Sequence, residues 1–350
     1  MLRCDFTIEQ MDKKGMGKIM KKFMKSIGEK SVAALSLFLL TFLLGGCGKK
    51  EEMEEVRVAA LKGPTAMGMV QMMEEDSMPY NFAIYASIDE VTPKLVQGEV
   101  DIAAVPANIA SVLYNNTEGQ IQVLAINTLG VLYIVDTDGS IQSVGDLKGK
   151  TIYASGKGAT PEYALNYILE ASGTDREKDV TVEWKSEHSE CVASLLSGQA
   201  QGAAALLPQP FVAAARMKND SIRVALDLTE QWDMLQEGEE NSSAMITGVI
   251  VARKEFVEGN PEVVEKFMRS YRESVDYVNG NIDEAAGLIE KYDIVPAAVA
   301  REALPYCKIV FIDGEEMKEK LSGYLQVLME QNPKSVGGKL PDDRFYFRGQ

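Results

Sequence analysis

The sequence predicts an α/β fold in two lobes, each built on a mostly parallel β-sheet with helices on both faces. From Val56 onward, short apolar stretches alternate with segments of helical periodicity, and this alternation is typical of β-α-β units. One such unit recurs about a hundred residues later in the chain. Removing the 46 residues that precede Cys47 from the 350 leaves 304, a length that fits two domains at about 150 residues each.

The N-terminal region has the pattern of an export signal. Residues 32–46 are a run of fifteen mostly apolar residues, which is short of the roughly 20 that a membrane-spanning helix needs. Basic residues precede the run at Lys21, Lys22, Lys25 and Lys30. Leu44-Gly45-Gly46-Cys47 reads as a lipobox, in which small residues precede the cut and the cysteine thiol is acylated. We therefore expect a signal peptide at residues 1–46 and lipid on Cys47; the alternative is a membrane anchor with an incidental cysteine.

The first residues of the leader are unusual for a signal peptide. They carry acidic side chains, whereas translation from Met20 would give an ordinary basic leader. We expect residues 1–19 to be an artefact of the assigned start site, with no consequence for the mature protein. Residues 47–55 are rich in glutamate and would form a short charged tether between the lipid and the folded part.

Charge and cysteine content exclude several classes of protein. The leader carries eight basic and four acidic residues, so its removal changes the net charge from −16 to −20. Such a chain is repelled by nucleic acid and by anionic lipid, so we expect no nucleic acid partner and attachment to the membrane only through the lipid anchor. Beyond the leader and Cys47, only Cys191 and Cys307 remain. Two thiols do not make a disulfide framework, and we expect both to be free and at least partly buried.

Strands and helices alternate through the first lobe. We predict a strand at 56–61, a helix at 66–75, a strand at 81–85, a helix at 91–97, a strand at 100–105 and a helix at 108–114. Gly98 follows the second of these helices, as expected of a left-handed C-cap.

An internal repeat suggests that the second lobe has the same architecture. Residues 95–104 and 195–204 share one pattern, in which a helix ends near a glycine and the chain then enters a strand that leads to a proline. Two such lobes would present equivalent strand ends to each other across a cleft. Chance similarity between two common helix-glycine-strand units is the alternative.

The second lobe and the return to the first complete the chain. We predict strands at 151–154, 180–184 and 222–226, helices at 160–171 and 211–217, a returning strand at 245–252 and a long helix that begins at Asn260-Pro261. Gly149-Lys150-Thr151 is no phosphate-binding loop, because it leads into a strand and not a helix. The chain crosses between lobes near 127–133 and 243–249, so we assign 56–130 and 244–350 to lobe 1 and 131–243 to lobe 2.

The sequence offers little for catalysis. His188 is the only histidine, and its polar neighbours predict an exposed loop. One histidine and two scattered thiols cannot build a zinc site, and the carboxylates lack EF-hand spacing. Nothing pairs a nucleophile with a base. We therefore expect no enzymatic activity, no metal and no cofactor.

The candidate site lies at turns that follow the strands and precede helices. Ligands of open α/β sheets bind at these strand ends, where helix N-termini offer unpaired N–H groups. The predicted ligand-binding residues are Gly63, Pro64, Thr65, Ala66, Pro106, Ala107, Asn108, Asn127, Lys157, Gly158, Ala159, Thr160, Gln209 and Thr247. The alternative is that these are ordinary βα turns, which need the same residue types.

Several of these segments carry a resemblance to a known family. The lipobox and the segments LKGPTAMG, QGEVDIAAVPAN, SVGDLKGKTIYASGKGATPE and TGVIVARKEF resemble the solute-binding lipoproteins of bacterial ABC importers. The branch is the one whose members carry taurine, alkyl sulfonates, nitrate or pyrimidine thiamine precursors. The resemblance implies a type II periplasmic-binding-protein-like fold with two lobes joined by a two-strand hinge. It places Thr65, Ala66, Asn108, Gly158, Ala159 and Thr160 at the cleft.

The function that we expect is capture of a small solute outside the cell and its delivery to an ABC permease and ATPase, by a monomer anchored on the extracytoplasmic face of the cell membrane. The rivals are an enzyme on the same fold and a ligand-loaded sensor protein. Lys62 and Lys157 would favour a compact anion such as a sulfonate or carboxylate. Tyr85, Tyr133 or Trp184 could instead hold a pyrimidine-like ring, and the sequence leaves both solutes open.

Overall fold

The computed structural model describes residues 55–75, 80–198, 200–237 and 243–349. The predictions for the signal peptide, for Cys47 and for all but the last residue of the tether lie outside the described residues. None of the helices within the described residues is long and apolar enough to cross a membrane.

Eleven strands form within the described part of the chain. They are β1 (Val56–Leu61), β2 (Tyr80–Tyr85), β3 (Ile102–Pro106), β4 (Ile121–Leu129), β5 (Leu132–Asp136), β6 (Thr151–Ser155), β7 (Thr181–Lys185), β8 (Ala204–Pro208), β9 (Arg223–Asp227), β10 (Ile246–Arg253) and β11 (Ile309–Ile312).

The same residues form twelve α-helices. They are α1 (Pro64–Met67), α2 (Ile88–Gln97), α3 (Ala107–Asn116), α4 (Thr160–Ala171), α5 (His188–Leu196), α6 (Phe211–Lys218), α7 (Leu228–Gln236), α8 (Lys254–Gly259), α9 (Pro261–Gly280), α10 (Ile282–Lys291), α11 (Ala297–Ala303) and α12 (Gly314–Gln331). Single 3₁₀ turns lie at Met72–Glu74, Val144–Leu147, Leu304–Tyr306, Pro333–Val336 and Asp343–Phe345.

The strands form two sheets of matching design. The first has the order β11-β4-β10-β3-β1-β2 and the second the order β7-β6-β8-β5-β9. In each sheet three neighbouring strands are parallel, β2-β1-β3 or β7-β6-β8, and the next strand, β10 or β5, runs antiparallel to them. This is the expected two-lobed α/β fold with mixed sheets. The parallel strands lie in the part of each sheet that the sequence repeat covers.

The chain passes twice between the two sheets. It leaves the first sheet at the end of β4 and enters the second at β5, with only Gly130 and Val131 between the strands. It returns from α7 to β10. Pro106 at the end of β3 pairs with Gly248 of the returning strand, and Pro208 at the end of β8 pairs with Leu132. The carboxyl ends of the parallel strands in both sheets therefore adjoin the two crossings.

Most elements follow from local sequence signals. Ser87 and Glu90 form a capping box at the start of α2, and Gly98 ends that helix with a φ of 77°, a conformation that glycine adopts without strain. Gly198 has a similar φ of 65° after α5. The long helix α9 buries one stripe, as its periodicity predicts, and that stripe contains Val264, Phe267, Met268, Tyr271, Val275 and Val278.

One element differs from its prediction. The helix expected at 66–75 is only α1 (Pro64–Met67), followed by an irregular turn and the 3₁₀ turn Met72–Glu74. A Cβ on Gly68 would lie 2.9 Å from both Ile309 Cγ2 and Tyr271 Oη, so this segment packs tightly against α9 and β11. Met67, Met69, Val70 and Met72 are all buried. Burial on every side, and not a helical stripe, explains the run of apolar residues.

Candidate functional site

Four segments of the first sheet meet at one edge. Gly248 pairs with Pro106 on one side and with Thr128 on the other. The side-chain amide of Asn127 donates to the carbonyl of Thr65 at 3.5 Å. A Cβ on Gly248 would lie 2.5 Å from Asn127 Oδ1 and 2.8 Å from Thr65 Cγ2. The absence of a side chain at Gly248 therefore allows the turn after β1 and the end of β4 to approach each other.

The predicted residues of the first lobe all lie at this edge. Gly63, with a φ of 133°, precedes α1, and its carbonyl accepts from the N–H groups of Ala66 and Met67. Thr65 and Ala66 are buried in α1, and the hydroxyl of Thr65 donates to Leu61 O at 3.1 Å. The remaining members lie at the ends of elements on the same edge. Pro64 begins α1, Pro106 ends β3, Ala107 and Asn108 begin α3, Asn127 lies on β4 and Thr247 lies on β10.

Asn108 has a structural contact that the sequence did not reveal. Its amide nitrogen lies 3.4 Å from the carbonyl of Ser335, to which it donates. Ser111 and Asn115, on the same face of α3, donate to the carbonyl of Val336 at 2.8 Å each. This face of α3 thus holds the chain segment that follows α12.

The turn before α4 supplies most of the predicted residues of the second lobe. Lys157 and Gly158 are exposed, and the backbone N–H of Gly158 donates to Glu162 Oε2 at 2.6 Å. Ala159 takes the N-cap position of α4 but makes no side-chain cap. Thr160 is buried at the first position of the helix, and its hydroxyl accepts from Tyr324 Oη, which belongs to α12, at 3.4 Å.

Gln209 lies beside the first crossing. Its backbone N–H donates to the carbonyl of Val131 at 2.9 Å, and its side-chain oxygen accepts from Ala213 N at 3.3 Å in the first turn of α6. The side chain is buried. Gln209 thus caps α6 at the edge where β8 ends.

Three strand ends of the second lobe bring Ser155, His188 and Phe211 together. Ser155 Oγ lies 2.6 Å from His188 Nδ1, and the rings of His188 and Phe211 have centroids 4.8 Å apart. The expectation that no hydroxyl is paired with a base is therefore wrong for Ser155 and His188. Burial lowers the pKa of His188 to about 4, so the imidazole is neutral near pH 7. The prediction of an exposed loop for His188 is wrong: the residue is half-buried and begins α5. A neutral imidazole at this edge can accept or donate one hydrogen bond through Nε2.

Two further threonines near the crossings were not predicted as site residues. The hydroxyls of Thr128, Thr229 and the predicted Thr247 are buried and have no hydrogen-bond partner within the described residues. A Cβ on Gly130 would clash with Thr229 Oγ1, which places Thr229 against the first crossing. A buried hydroxyl without a partner costs roughly 1–3 kcal/mol. Their burial without a partner depends on the three-dimensional packing, and the sequence carries no signal for it.

The charged and aromatic residues considered for solute binding have other contacts. Lys62 donates to Asp293 Oδ2 at 2.8 Å on the surface of the first lobe. The hydroxyl of Tyr133 donates to the carbonyl of Tyr306 at 2.9 Å. Tyr85 and Trp184 lie on β2 and β7, the outermost strands of their sheets. Hydroxyls, amides and one neutral imidazole therefore supply most of the polar groups at the two strand-end edges, and Lys308 and Asp227 form a charged pair beside the first crossing.

Neither a metal-binding cluster nor a disulfide is present among the described residues. In the described ranges, no three His, Cys, Asp or Glu side chains come close enough together to hold a metal ion. Cys191 and Cys307 are both unpaired and buried, as predicted. A cavity of about 340 Å³ opens at the opposite edge of the first sheet, between Leu95 and Arg253, far along the strands from the crossings.

Comparison with known proteins gives one family match. The family described as "ABC transporter, phosphonate, periplasmic substrate-binding protein" matches residues 69–300. No curated protein matches the chain in sequence.

Several solved structures share the fold. An ABC transporter protein from Parabacteroides distasonis is 24% identical, covers 84% of this chain and 99% of its own, and gives a TM-score of 0.71. The periplasmic aliphatic sulphonate binding protein SsuA from Escherichia coli is 17% identical, with coverage of 84% and 92% and a TM-score of 0.67. The desulfurization enzyme DSZB, 14% identical with coverage of 84% and 96%, gives a TM-score of 0.59. The same fold thus occurs in binding proteins and in at least one enzyme.

Proposed function

The chain belongs to the family of periplasmic substrate-binding proteins of phosphonate ABC transporters, and from this membership we propose that it captures a small organic oxyanion between its two lobes. The family is described as periplasmic substrate-binding proteins of ABC transporters. We propose accordingly that this chain performs no chemistry on its solute and delivers it to an ABC permease and ATPase.

The observation that carries the proposal is the convergence of uncharged hydrogen-bonding groups at matching edges of both sheets. Ser155, Thr160 and Gln209 of the second lobe and Thr65 and Asn127 of the first all lie where parallel strands end beside the crossings. The helices α3 and α4 begin at the same edges. Helix N-termini and neutral donors stabilise an oxyanion without a cationic side chain.

The geometry favours a compact sulfonate or phosphonate over a pyrimidine-like ring. Buried hydroxyls, of which Thr247 carries one, suit tetrahedral oxygens that accept several hydrogen bonds. The ring alternative would need aromatic faces at the edge; those of His188 and Phe211 lie there, whereas Tyr133 is buried and its hydroxyl donates to Tyr306. SsuA from Escherichia coli is described as an aliphatic sulphonate binding protein. The description of the matched family names phosphonate. Both descriptions support this solute class.

We propose the remaining features on the strength of the sequence. Residues 1–46 are the signal peptide, Cys47 is lipidated, and the protein acts as a monomer on the extracytoplasmic face of the membrane. The lobe boundaries are 56–130 with 244–350, and 131–243. Solute contacts come from the predicted turns, with Ser155, His188, Thr128 and Thr229 added. Lys157 is exposed, and its contact would require the side chain to fold back over the turn.

Calorimetric titration tests the function. Purified protein is titrated with methylphosphonate, methanesulfonate, inorganic phosphate and cytosine, and each compound is recovered afterwards to check that it is unchanged. We expect a sulfonate or phosphonate to bind and cytosine not to bind. No binding of any oxyanion, or conversion of a bound one, would overturn the proposal.

A matched pair of variants locates the binding. Thr247→Val removes a buried unpartnered hydroxyl at the returning crossing, and Thr174→Val removes another one after the C-terminus of α4. Neither should reduce stability, because neither hydroxyl has a partner among the described residues to lose. Only Thr247→Val should weaken oxyanion binding, by roughly tenfold or more, the scale of a hydrogen bond to a charged group. Equal affinities in the two variants would remove Thr247 from the site.

A further inference from the structure

We propose that Lys308 and Asp227 are positioning residues that hold the two lobes in contact, through an ion pair beside the first crossing. The inference rests on the proposed function only in that closure of the lobes would enclose the solute. Lys308 Nζ lies 2.9 Å from Asp227 Oδ2. Lys308 precedes β11 of the first sheet, and Asp227 ends β9 of the second. The pair therefore joins the lobes directly.

Burial distinguishes this pair from another ion pair between the lobes. The side chains of Lys308 and Asp227 are 27% and 14% exposed. Arg216 and Glu302, which also join the lobes, are 3.2 Å apart but 43% and 45% exposed. Exposed pairs contribute little because water screens them, whereas the loss of one partner from a largely buried pair leaves an uncompensated charge. The two pairs provide a natural comparison.

The backbone of Lys308 fixes the position of the cation. Its φ is 45°, a left-handed conformation that costs a residue with a side chain roughly 1–2 kcal/mol. Its carbonyl accepts from Leu129 N at 3.1 Å, at the start of the first crossing. Lys308 thus contacts the crossing through its backbone and the other lobe through its side chain. The strained conformation is maintained where both contacts require it.

Asp227 is fixed just as firmly on the other side. Its Oδ1 accepts from the backbone N–H of Thr229 at 2.8 Å and caps α7, while Oδ2 accepts from Lys308. Asp227 also pairs in register with Tyr133, whose hydroxyl donates to Tyr306 O at 2.9 Å. Tyr306 and Lys308 therefore contact β5 and β9, two neighbouring strands of the second sheet.

The capped helix makes a second contact with the first lobe. Trp232 of α7 is fully buried, and its ring lies 5.6 Å from that of Tyr324 on α12. Separation of the lobes would move both charges of the pair into water and remove Tyr324 from Trp232. While the lobes are joined each charge has its partner, and loss of either one would leave the other largely buried and uncompensated. The fluorescence of Trp232 reports whether the lobes separate.

Solution scattering and tryptophan fluorescence of the solute-free protein test this inference. The variants are Lys308→Met, which removes the cation but retains most of the stem, and Asp227→Asn, which removes the anion but retains an oxygen that can cap α7. Arg216→Met is the control for an exposed pair. Fluorescence is measured in a Trp184→Phe background so that only Trp232 emits. We expect a larger radius of gyration and red-shifted emission for Lys308→Met and Asp227→Asn, with Arg216→Met unchanged.

Further variants separate positioning from a general loss of structure. Lys308→Arg, which can rebuild the pair, should restore both readouts, and the double variant Lys308→Met/Asp227→Asn should be no more open than either single one. Each variant should still unfold cooperatively. Wild-type scattering and emission in both single variants, or the same expansion in Arg216→Met, would overturn the inference. Because no solute is added, the result does not depend on whether oxyanions bind.

Discussion

The imidazole of His188 lies between the hydroxyl of Ser155 and the ring of Phe211 at the carboxyl edge of the second sheet. Burial lowers its pKa to about 4, so its role near neutral pH is that of an uncharged hydrogen-bonding group. An uncharged donor can contact an oxyanion without the strong dependence on pH that an imidazolium would introduce.

His188 should make the folded protein less stable as the pH falls. The pKa of an unfolded histidine is about 6.5 and that of His188 in the folded protein is about 4, so the unfolded chain takes up the proton first as pH falls. The linked loss begins near pH 6.5 and is complete below about 4, where it reaches about 3 kcal/mol. Urea unfolding of wild type and His188→Gln at pH 7 and 4.5 measures it. We expect the free energy of unfolding to fall by about 2 kcal/mol less in the variant, and parallel losses would contradict the assignment.

Individual site residues could be predicted only as far as local chain geometry determines them. Glycine, proline and capping residues mark where strands end and helices begin, so the turns at Gly63 and Ala159 were predictable. The partners of His188 are 33 and 23 residues away in sequence, and its polar neighbours gave no sign of burial. Likewise the pairing of Lys62 with Asp293 depends on a contact across 231 residues.

At the scale of elements, helix α3 connects the candidate site to the C-terminal segment. It begins directly after Pro106, and Asn108, Ser111 and Asn115 donate along one face to the backbone of residues 335–339. The segment can follow the helix closely because Gly337 has no side chain. A Cβ there would lie 3.1 Å from both Asn115 Cβ and Val112 Cα.

Two neighbouring glycines allow this packing to be measured. Gly337 and Gly338 have φ values of 83° and 90°, and an added Cβ at Gly338 meets no atom within 4 Å. Gly338→Ala should therefore cost only backbone strain, roughly 1–2 kcal/mol. Gly337→Ala should cost more, because it adds a contact with the helix backbone that cannot move aside. Urea denaturation compares them, and equal losses would show that the segment does not depend on close contact with α3.

Elements with a strong periodic or capping signal were predictable, and α2, α9 and the repeated units are examples. The helix expected at 66–75 was not, because Met67, Met69, Val70 and Met72 are buried on all sides. Periodicity distinguishes a helix only when one of its faces is polar. The close packing of Gly68 against Tyr271 and Ile309 depends on parts of the chain that follow more than 200 residues later.

At the scale of the whole molecule, two matched sheets place the carboxyl ends of their parallel strands beside the two crossings. The matching strand orders account for the internal sequence repeat, so the architecture was predictable from the sequence. The contacts between the lobes were not, because residues 302–332 meet residues such as Asp227, Tyr163 and Thr160 through hydrogen bonds in which at least one partner is a side chain. No local pattern specifies such pairs.

The central claim is that one solute is held by both lobes at the edges that adjoin the crossings. Hydrogen–deuterium exchange with and without the oxyanion that binds most tightly in the calorimetric panel tests it directly. We expect added protection in peptides from both lobes, covering residues 63–68, 106–110, 127–131, 156–163 and 208–213, and no change in peptides 94–101 and 117–122 at the far edge. Protection confined to one lobe, or to the far-edge cavity between Leu95 and Arg253, would contradict the account.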